Sequence, residues 1–346
     1  MKDQVDNLNK KNIPSVYLNS TLTRNEYYNI LNKILENKYK IIYIAPERLE
    51  VPNFIEILKR IHISLIIIDE AHCISQWGHN FRKSYLNISN VISSFNSRPI
   101  IAAFTATATE QVKQDILKIL NLKNPYIIKT GFDRKNLSFN VLVPSNKKNF
   151  IVNYINNHKK ESGIIYCLTR KETDSLFYYL KSLSFNITEY HGGMSEKERN
   201  KNQNDFILNK NSIMIATNAF GMGIDKPDIR YVIHNNMPKD LEGYYQEAGR
   251  AGRDGLPSEC YLLYSKKDIV LNNYLIKKNS KSSNTYNEYA KLNKIIEYCN
   301  TSRCLRKYIL EYFGEHANFT NCNNCSNCQK LSKGNRTKLQ FRDKIL

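Results

Sequence analysis

Residues 65–72 read Leu65-Ile66-Ile67-Ile68-Asp69-Glu70-Ala71-His72. Four consecutive apolar residues predict a buried strand, and the two carboxylates would lie at its C-terminal tip. In an open α/β sheet, ligands bind at that tip. Asp69 could there hold the Mg²⁺ that bridges the phosphates of ATP, and Glu70 could position and deprotonate the attacking water. A chance strand that ends in acids would look the same, so the run needs support from the rest of the chain.

Short apolar runs alternate with helical patterns along most of the chain. Strands are predicted at residues 41–45, 65–68, 100–104, 163–167, 213–216, 231–234 and 260–264, and helices at about 110–120, 171–182 and 241–250. This alternation is typical of parallel sheets that helices cover on both faces. We therefore predict an α/β fold with two lobes. The predicted regions are 1–130 (lobe one), 131–265 (lobe two), 266–330 (helical, with helices near 292–299 and 304–313) and 331–346 (a basic tail).

The chain carries a large excess of positive charge. Its 346 residues include 51 Lys and Arg against 32 Asp and Glu, which gives a formal net charge of +19. Such an excess predicts a polyanionic partner, with nucleic acid first and an anionic membrane second. A general enrichment in Asn and Lys, visible in Asn-rich stretches such as 200–204 and 321–324, would give the same charge without any such partner.

The sequence also restricts the cellular compartment. It has no run of 18 apolar residues, so we expect no transmembrane helix, and its polar first twenty residues do not form a secretory signal peptide. An intracellular protein is therefore expected, in the nucleus or, in a prokaryote, in the cytoplasm. In a reducing compartment disulfides among the eight cysteines are not expected.

An aromatic stretch follows the carboxylates directly. It reads Cys73-Ile74-Ser75-Gln76-Trp77-Gly78-His79-Asn80-Phe81-Arg82 and holds the only tryptophan of the chain. Aromatic rings beside a cation suit stacking on single-stranded bases and contact with phosphate. The alternative is that Trp77 and Phe81 pack in the core, which the polar neighbours on every side disfavour.

A threonine motif, Thr105-Ala106-Thr107-Ala108-Thr109, follows the strand predicted at 100–104. Its hydroxyl groups could relay between a nucleotide and a nucleic acid. A helix N-cap at Thr107 or Thr109 explains the motif equally well.

The second lobe contains a glycine motif and an arginine motif. The first, at residues 216–226, has two glycines that allow close backbone approach to a phosphate, although a lone Gly-x-Gly is weak evidence. The second, at residues 245–255, has Arg250 and Arg253 three positions apart, so a helical turn would point both the same way. Such a pair could stabilise transition-state charge on ATP. A solvated basic face is the alternative.

The order and spacing of these motifs resemble those of the RecQ family of helicases, over roughly residues 1–330. The strings that carry the resemblance are Ile44-Ala45-Pro46-Glu47-Arg48-Leu49, Asp69-Glu70-Ala71-His72 with Ser75-Gln76-Trp77-Gly78-His79, Thr105-Ala106-Thr107-Ala108-Thr109, Ala219-Phe220-Gly221-Met222-Gly223-Ile224-Asp225-Lys226-Pro227 and Gln246-Glu247-Ala248-Gly249-Arg250-Ala251-Gly252-Arg253-Asp254-Gly255. The aromatic stretch fused to the acidic string distinguishes this family from other helicases.

The resemblance implies two RecA-like lobes, the first incomplete, and an ATP-dependent 3′-to-5′ DNA helicase that acts in recombination and repair. It implies Glu70, Arg250 and Arg253 as catalytic residues. It also implies Asp69, Gln246, Gly223 and Asp225 at the nucleotide, with ATP and Mg²⁺ as cofactors. Residues implied to couple hydrolysis to DNA are His72, Gln76, Trp77, His79, Phe81, Arg82, Thr105 and Thr107. The implied partners are single-stranded DNA and duplex junctions, and no membrane.

Four cysteines near the C-terminus predict a metal site. Cys322, Cys325 and Cys328 have Cys-x-x-Cys-x-x-Cys spacing, and Cys304 lies upstream in a predicted helix. Four thiolates can close a tetrahedral Zn²⁺ site. The same spacing opens a bacterial iron–sulfur run, but a fourth cysteine followed by proline is missing here. The resemblance to the RecQ zinc module, in which zinc is structural, favours zinc.

No loop that cradles phosphate precedes Asp69. The first glycine of the chain is Gly78, so a Gly-x-x-x-x-Gly-Lys-Ser/Thr loop cannot stand upstream of the carboxylates. The resemblance implies such a loop, and also a glutamine motif that binds adenine. We therefore expect the chain to be a fragment that is inactive alone. The sheet of its first lobe would then expose an apolar edge. The alternatives are a short DNA-binding protein that does not hydrolyse ATP and, more weakly, an RNA helicase.

Overall fold

The structure is a computed structural model that describes residues 2–18, 22–78, 81–221, 224, 226–279 and 285–330. Three residues predicted to be functional, His79, Gly223 and Asp225, lie outside the described residues, as does the basic tail 331–346. The backbone divides into two compact units, Met1–Lys129 and Thr130–Leu346, each of which is described by itself.

Unit 1 combines short parallel strands with helices. Its strands are β1 (Ser15–Leu18), β2 (Ile41–Ile44), β3 (Leu65–Ile68) and β4 (Ile100–Ala103). Strand β1 pairs in parallel with β2, and β3 pairs in parallel with β4. Its helices are α1 (Lys2–Lys10), α2 (Arg24–Leu35), α3 (Pro52–Lys59), α4 (Lys83–Ser93) and α5 (Glu110–Ile119), with 3₁₀ helices at Pro46–Glu50 and Ala71–Ile74.

The prediction that residues 65–68 are a buried strand is only half right. The strand has the predicted bounds and Ile68 is buried, but Leu65 is 46% exposed and Ile67 is 61% exposed. On the neighbouring strand Ile100 is 72% exposed. A continuous apolar run indicates cover on both faces of a sheet. Among the described residues, the face of this pair that carries Leu65 and Ile67 is therefore left largely uncovered.

Unit 2 contains a six-stranded sheet in which every pairing is parallel. The strands are β5 (Leu137–Leu142), β6 (Ser162–Tyr166), β7 (Ile187–Tyr190), β8 (Ile213–Ala216), β9 (Ile229–His234) and β10 (Ser258–Leu263), in the order β5-β10-β9-β6-β8-β7. The helices that accompany the sheet are α6 (Lys147–Asn157), α7 (Arg170–Ser182), α8 (Glu196–Ile207) and α9 (Leu241–Ala248). All five residues of β6 are buried, as its apolar sequence predicts.

Three more helices follow the sheet: α10 (Lys266–Asn279), α11 (Thr285–Asn300) and α12 (Leu305–Tyr312). They do not form a separate core. Leu292, Tyr298 and Phe313 belong to the same buried cluster as Phe139 of β5 and Cys260 of β10. None of the described helices is long and apolar enough to cross a membrane.

Candidate functional site

The two carboxylates directly follow β3, where the sequence predicted them. Glu70 has a left-handed backbone with φ of 50°, a conformation that residues other than glycine adopt rarely and often at functional sites. The Oδ1 atom of Asp69 accepts a hydrogen bond from the Glu70 N–H at 2.9 Å, and the Tyr85 hydroxyl donates to the Asp69 carbonyl at 3.2 Å. The turn therefore holds both carboxylates at the end of the strand.

The His72 imidazole joins the carboxylates to the threonine motif. The ring is buried, and its Nδ1 lies 3.3 Å from the Glu70 Oε2 atom and 3.0 Å from the Thr105 Oγ1 atom. Burial raises the pKa of the Cys73 thiol to about 12, so this thiol keeps its proton and can donate to His72 Nε2 at 3.7 Å. These contacts fit a ring that carries its proton on Nδ1. The structure thus brings together three residues that the sequence predicted separately.

The hydroxyls of the threonine motif divide between two tasks. Thr109 caps α5, because its Oγ1 accepts the Val112 N–H at 3.4 Å. Thr105 instead donates to the Thr107 carbonyl at 3.0 Å and accepts the Thr107 N–H at 3.3 Å. Thr107 is buried, and its hydroxyl has no hydrogen-bond partner among the described residues. The N-cap interpretation is confirmed for Thr109 and is wrong for Thr107.

In the aromatic stretch, Ser75 makes the hydrogen bonds and Trp77 is exposed. Trp77 is 39% exposed and lies outside the core of unit 1, so the structure does not support the core-packing alternative for this ring. The Ser75 hydroxyl accepts the Trp77 N–H at 3.1 Å and donates to Asp115 Oδ2 at 2.5 Å. Gln76 is exposed and Phe81 is half-buried.

Gly78 is required for space at the end of this stretch. A Cβ atom there would lie 2.1 Å from the His72 carbonyl oxygen. We expect Gly78→Ala to destabilise unit 1 by about 2 kcal/mol or more, because the backbone must shift. Thermal unfolding would measure the effect. As a control, Gly192→Ala would approach only the end of the Arg170 side chain, at 3.5 Å, and is expected to cost under about 0.5 kcal/mol. Equal costs for the two variants would contradict this account.

Arg82 has partners that the sequence did not predict. Its guanidinium pairs with the Glu47 carboxylate and lies 5.7 Å from the centre of the Tyr85 ring. The Ser84 hydroxyl also donates to Glu47 Oε1, at 3.2 Å. The Arg82 side chain nevertheless remains 43% exposed. The string that contains Glu47 was identified in the sequence, but its spacing does not indicate this ion pair.

The arginine loop, defined here as Gly249–Arg253, differs from the prediction. Helix α9 ends at Ala248 rather than at residue 250, so the two arginines do not share a helical turn. They contact the glycine motif instead. The Arg250 guanidinium, which is buried, donates to the Gly221 carbonyl, and Arg253 Nη1 donates to the Ile224 carbonyl at 2.9 Å.

Two glycines make this arrangement possible. Gly221 has a φ of 143°, and a Cβ atom there would lie 2.3 Å from the guanidinium carbon of Arg250. Gly252 has a φ of 56°, and a Cβ atom there would lie 2.5 Å from the Asn136 side-chain nitrogen. The sequence predicted a role for the glycine motif but not its contact with the arginines.

Helix α9 also carries a contact that the sequence analysis missed. His234, the last residue of β9, has its Nε2 atom 2.8 Å from Glu247 Oε2. The pair stands beside Gln246, which is half-buried. The signal in the sequence was a histidine at the end of an apolar strand. The strand pattern does not indicate which residue the histidine contacts.

The four cysteines predicted to bind metal come together. Their sulfur atoms all lie within 4.8 Å of one another, and Cys304, Cys325 and Cys328 are buried. A hydrogen bond with the Cys322 thiol, assisted by the backbone N–H groups of Cys328 and Leu305, lowers the pKa of Cys325 to about 4. Of the two hydrogen-bonded sulfurs, that of Cys325 therefore loses its proton more readily than that of Cys322. Ligands of one tetrahedral zinc ion lie about 3.8 Å apart, so this set fits a single ion.

A second group of possible ligands was not predicted from sequence and does not suit a metal. Asp174, Glu189 and His191 have side-chain atoms within 4.8 Å of one another. His191 Nδ1 accepts the Gly193 N–H at 3.1 Å, so the ring proton is on Nε2 and faces Asp174 Oδ1 at 2.8 Å. A histidine ligand needs a free lone pair where it meets the metal. Both nitrogens are already used, which favours a structural hydrogen bond.

Family models match three parts of the chain. A model described as "DEAD/DEAH box helicase" matches residues 1–115, "Helicase conserved C-terminal domain" matches residues 146–255, and "RecQ zinc-binding" matches residues 266–329. The last range contains the cysteine cluster.

Curated relatives match over most of the chain. The "ATP-dependent DNA helicase RecQ" of Bacillus subtilis is 47% identical over 91% of this chain and 53% of its own length. A "Putative ATP-dependent RNA helicase R290" of Acanthamoeba polyphaga mimivirus is 42% identical over 91% of this chain and 58% of its own length. The chain spans about half the length of the curated relatives it matches.

A solved structure agrees with the fold. Saccharomyces cerevisiae Dbp5, bound to RNA and ADP BeF3, matches with a TM-score of 0.57 over 82% of this chain and 74% of its own, at 19% identity. At that identity the likeness concerns the fold alone. The predicted α/β fold with two RecA-like lobes and a helical zinc-binding module is confirmed.

Proposed function

We propose that the two units of this chain serve the ATP-driven unwinding of DNA in the 3′-to-5′ direction, because the chain belongs to the RecQ family of helicases. The observation that carries the proposal is the contact of His72 with both Glu70 and Thr105, directly before the exposed Trp77. It links a carboxylate suited to water activation to a stretch suited to nucleic acid. Work in recombination and repair, and an intracellular location wherever the DNA lies, belong to the same proposal.

The proposed chemistry at the carboxylates is phosphoryl transfer from ATP to water. Asp69 would hold Mg²⁺, and Glu70 would orient the water and accept its proton. Arg250 and Arg253 are the proposed arginines that stabilise charge on the transferring phosphoryl group. Arg250 supports this role, because its buried Nε–H has no acceptor among the described residues. Gln246, Gly223 and Asp225 are proposed to contact the nucleotide.

The proposed coupling group transmits the state of the nucleotide to DNA. His72 and Thr105 are in direct contact, so a change at Glu70 reaches the threonine motif through one imidazole. The residues proposed to contact or sense DNA are Gln76, Trp77, His79, Phe81, Arg82 and Thr107.

The cysteine cluster is proposed to hold a structural Zn²⁺ ion. Cys304, Cys322, Cys325 and Cys328 would fill all four positions of a tetrahedral site, so the ion supplies cross-linking and no open position for water. Burial of three of the four cysteines supports a structural role.

Salt-dependent binding of single-stranded DNA tests the partner. If about three phosphates are neutralised, the affinity for a 20-nucleotide strand falls about tenfold or more between 50 and 200 mM salt. Fluorescence anisotropy would measure it, with an uncharged methylphosphonate strand of the same sequence as the control. Affinity for the charged strand that does not respond to salt would contradict the proposal.

A DNA-binding protein without ATPase activity is the second candidate. It is favoured by the sequence itself, since the 346 residues contain no Gly-x-x-x-x-Gly-Lys-Ser/Thr loop. ATP turnover by the purified chain, with and without DNA, separates the two. The name of the mimivirus relative raises RNA as a substrate, and stimulation by RNA rather than DNA would favour that activity.

A further inference from the structure

Residues 132–137, which lead into β5 and include its first residue, are held from one side by the zinc-binding module. Arg306 of α12 is 4% exposed, and its guanidinium reaches this segment. It donates to Asp133 Oδ1 and to the Arg134 carbonyl, both at 2.7 Å, and also to the Leu137 carbonyl. Asn324, next to Cys325, donates to the Leu137 carbonyl at 3.2 Å. One arginine and one amide of the module therefore fix the backbone of segment 132–137.

The first residue of the segment is also held by the module. The Phe132 ring stacks on the Phe313 ring with centroids 4.5 Å apart and an interplanar angle of 15°. The Phe132 N–H donates to Glu315 Oε2 at 2.5 Å, and the Tyr245 hydroxyl donates to the Phe132 carbonyl at 2.5 Å. Phe313 and Glu315 stand between α12 and the cysteines at 322–328. The module residues that place the segment thus all lie between the first metal ligand, Cys304, and the third, Cys325.

The other side of the segment holds the arginine loop. Arg134 donates to three carbonyls of that loop: the Gly249 carbonyl at 3.3 Å, the Ala251 carbonyl at 3.1 Å and the Gly252 carbonyl at 2.8 Å. Asn136 donates to the Gly252 carbonyl as well, at 2.8 Å. Carbonyl groups beyond the end of a helix have no partner within that helix. Arg134 supplies those partners after α9, and it does so from a backbone that Arg306 fixes.

We propose that Arg134 is a positioning residue through which the folded cysteine cluster keeps the arginine loop in its conformation. The path runs from the metal ligands to Arg306 and Asn324, through segment 132–137, and through the Arg134 guanidinium to the backbone of Gly249–Gly252. Because a guanidinium is planar and has five donors, it can serve three carbonyls at once, which a lysine ammonium does with poorer geometry. What the loop does for catalysis rests on the proposed function, but the path itself does not.

Hydrogen exchange tests the path without ATP or DNA. The amides of Arg250, Ala251 and Gly252 donate backbone hydrogen bonds, so they report on the order of the loop. We expect Arg134→Ala to speed their exchange at least tenfold while the zinc content and the exchange of β6 and β9 stay unchanged. In Arg134→Lys, the exchange rate of these amides should lie between the rates in the unchanged protein and in Arg134→Ala. Lys135→Ala is the matched control, because the Lys135 side chain is exposed and only its carbonyl takes part in the contacts.

The order of the path gives a second test. Arg306→Lys and removal of metal by a chelator should each speed exchange in both segment 132–137 and the arginine loop, whereas Arg134→Ala should affect the loop and leave Leu137 protected. Loop exchange that is unaffected by Arg306→Lys and by the chelator would overturn the proposal. So would an Arg134→Ala variant whose exchange rises equally throughout unit 2. If ATPase is present, Arg134→Ala should lower kcat without weakening DNA binding; absence of ATPase would count against the proposed function alone.

Discussion

Cys325→Ser is expected to release the metal and unfold the region from Lys266 to Lys330. Structural zinc sites contribute about 10–16 kcal/mol in small zinc domains, which is comparable to the whole stability of a single domain. Cys325 is fully buried in the cluster, and its backbone bridges to Phe139 of β5. We therefore expect the unfolding of unit 2 to shift to much lower temperature as well.

Metal analysis and circular dichroism check this expectation. The unchanged protein should hold about one zinc per chain, and Cys325→Ser less than about a fifth of that, with a loss of helical signal. Cys299→Ser is the control, because Cys299 is a partly buried cysteine outside the metal cluster, and it should keep its zinc. A Cys325→Ser protein that keeps a full equivalent of zinc would refute the assignment of these four ligands.

Glu70→Gln is expected to reduce DNA-stimulated ATP hydrolysis by about 10²–10⁴-fold, since an amide cannot accept the proton of the attacking water. Affinity for DNA should stay within about twofold, because the substitution keeps the size of the side chain. The variant and the unchanged protein are compared in the same DNA-stimulated ATPase assay. Glu50→Gln, an exposed glutamate of the same unit, is the control and should retain full turnover. Turnover above about a tenth of normal in Glu70→Gln would rule Glu70 out as the base.

The strands of this protein could be predicted from sequence because parallel strands have a simple signature. The apolar runs at 65–68 and 213–216 became strands with the predicted bounds. Burial could not be predicted as well, since it depends on which elements cover each face, and Ile67 is exposed for that reason. Helix α10 was not given bounds from the sequence, because its apolar residues are spread around the helix and do not form one helical stripe.

The sequence indicated which residues to consider for the candidate site, but it did not indicate which of them contact one another. The sequence indicated the carboxylates, the threonines, the arginines and the four cysteines. It did not indicate that Arg306 holds segment 132–137 or that Arg134 holds the arginine loop, contacts that join residues more than 100 positions apart. Such contacts leave no periodic pattern. Their signal is a single arginine, which by itself is typical of any basic surface.

The buried cluster that α11 and α12 share with β5 and β10 has a consequence for how such proteins can be assembled. Modules joined by a flexible tether can be exchanged between genes without harm to either partner. Here Tyr298 and Phe313 pack in the same buried cluster as Phe139 and Cys260. A chain that lost these helices would therefore have a cavity beside Phe139 and Cys260. We therefore expect a chimera of distant relatives to keep its stability only when the lobe and the cysteine module come from the same parent.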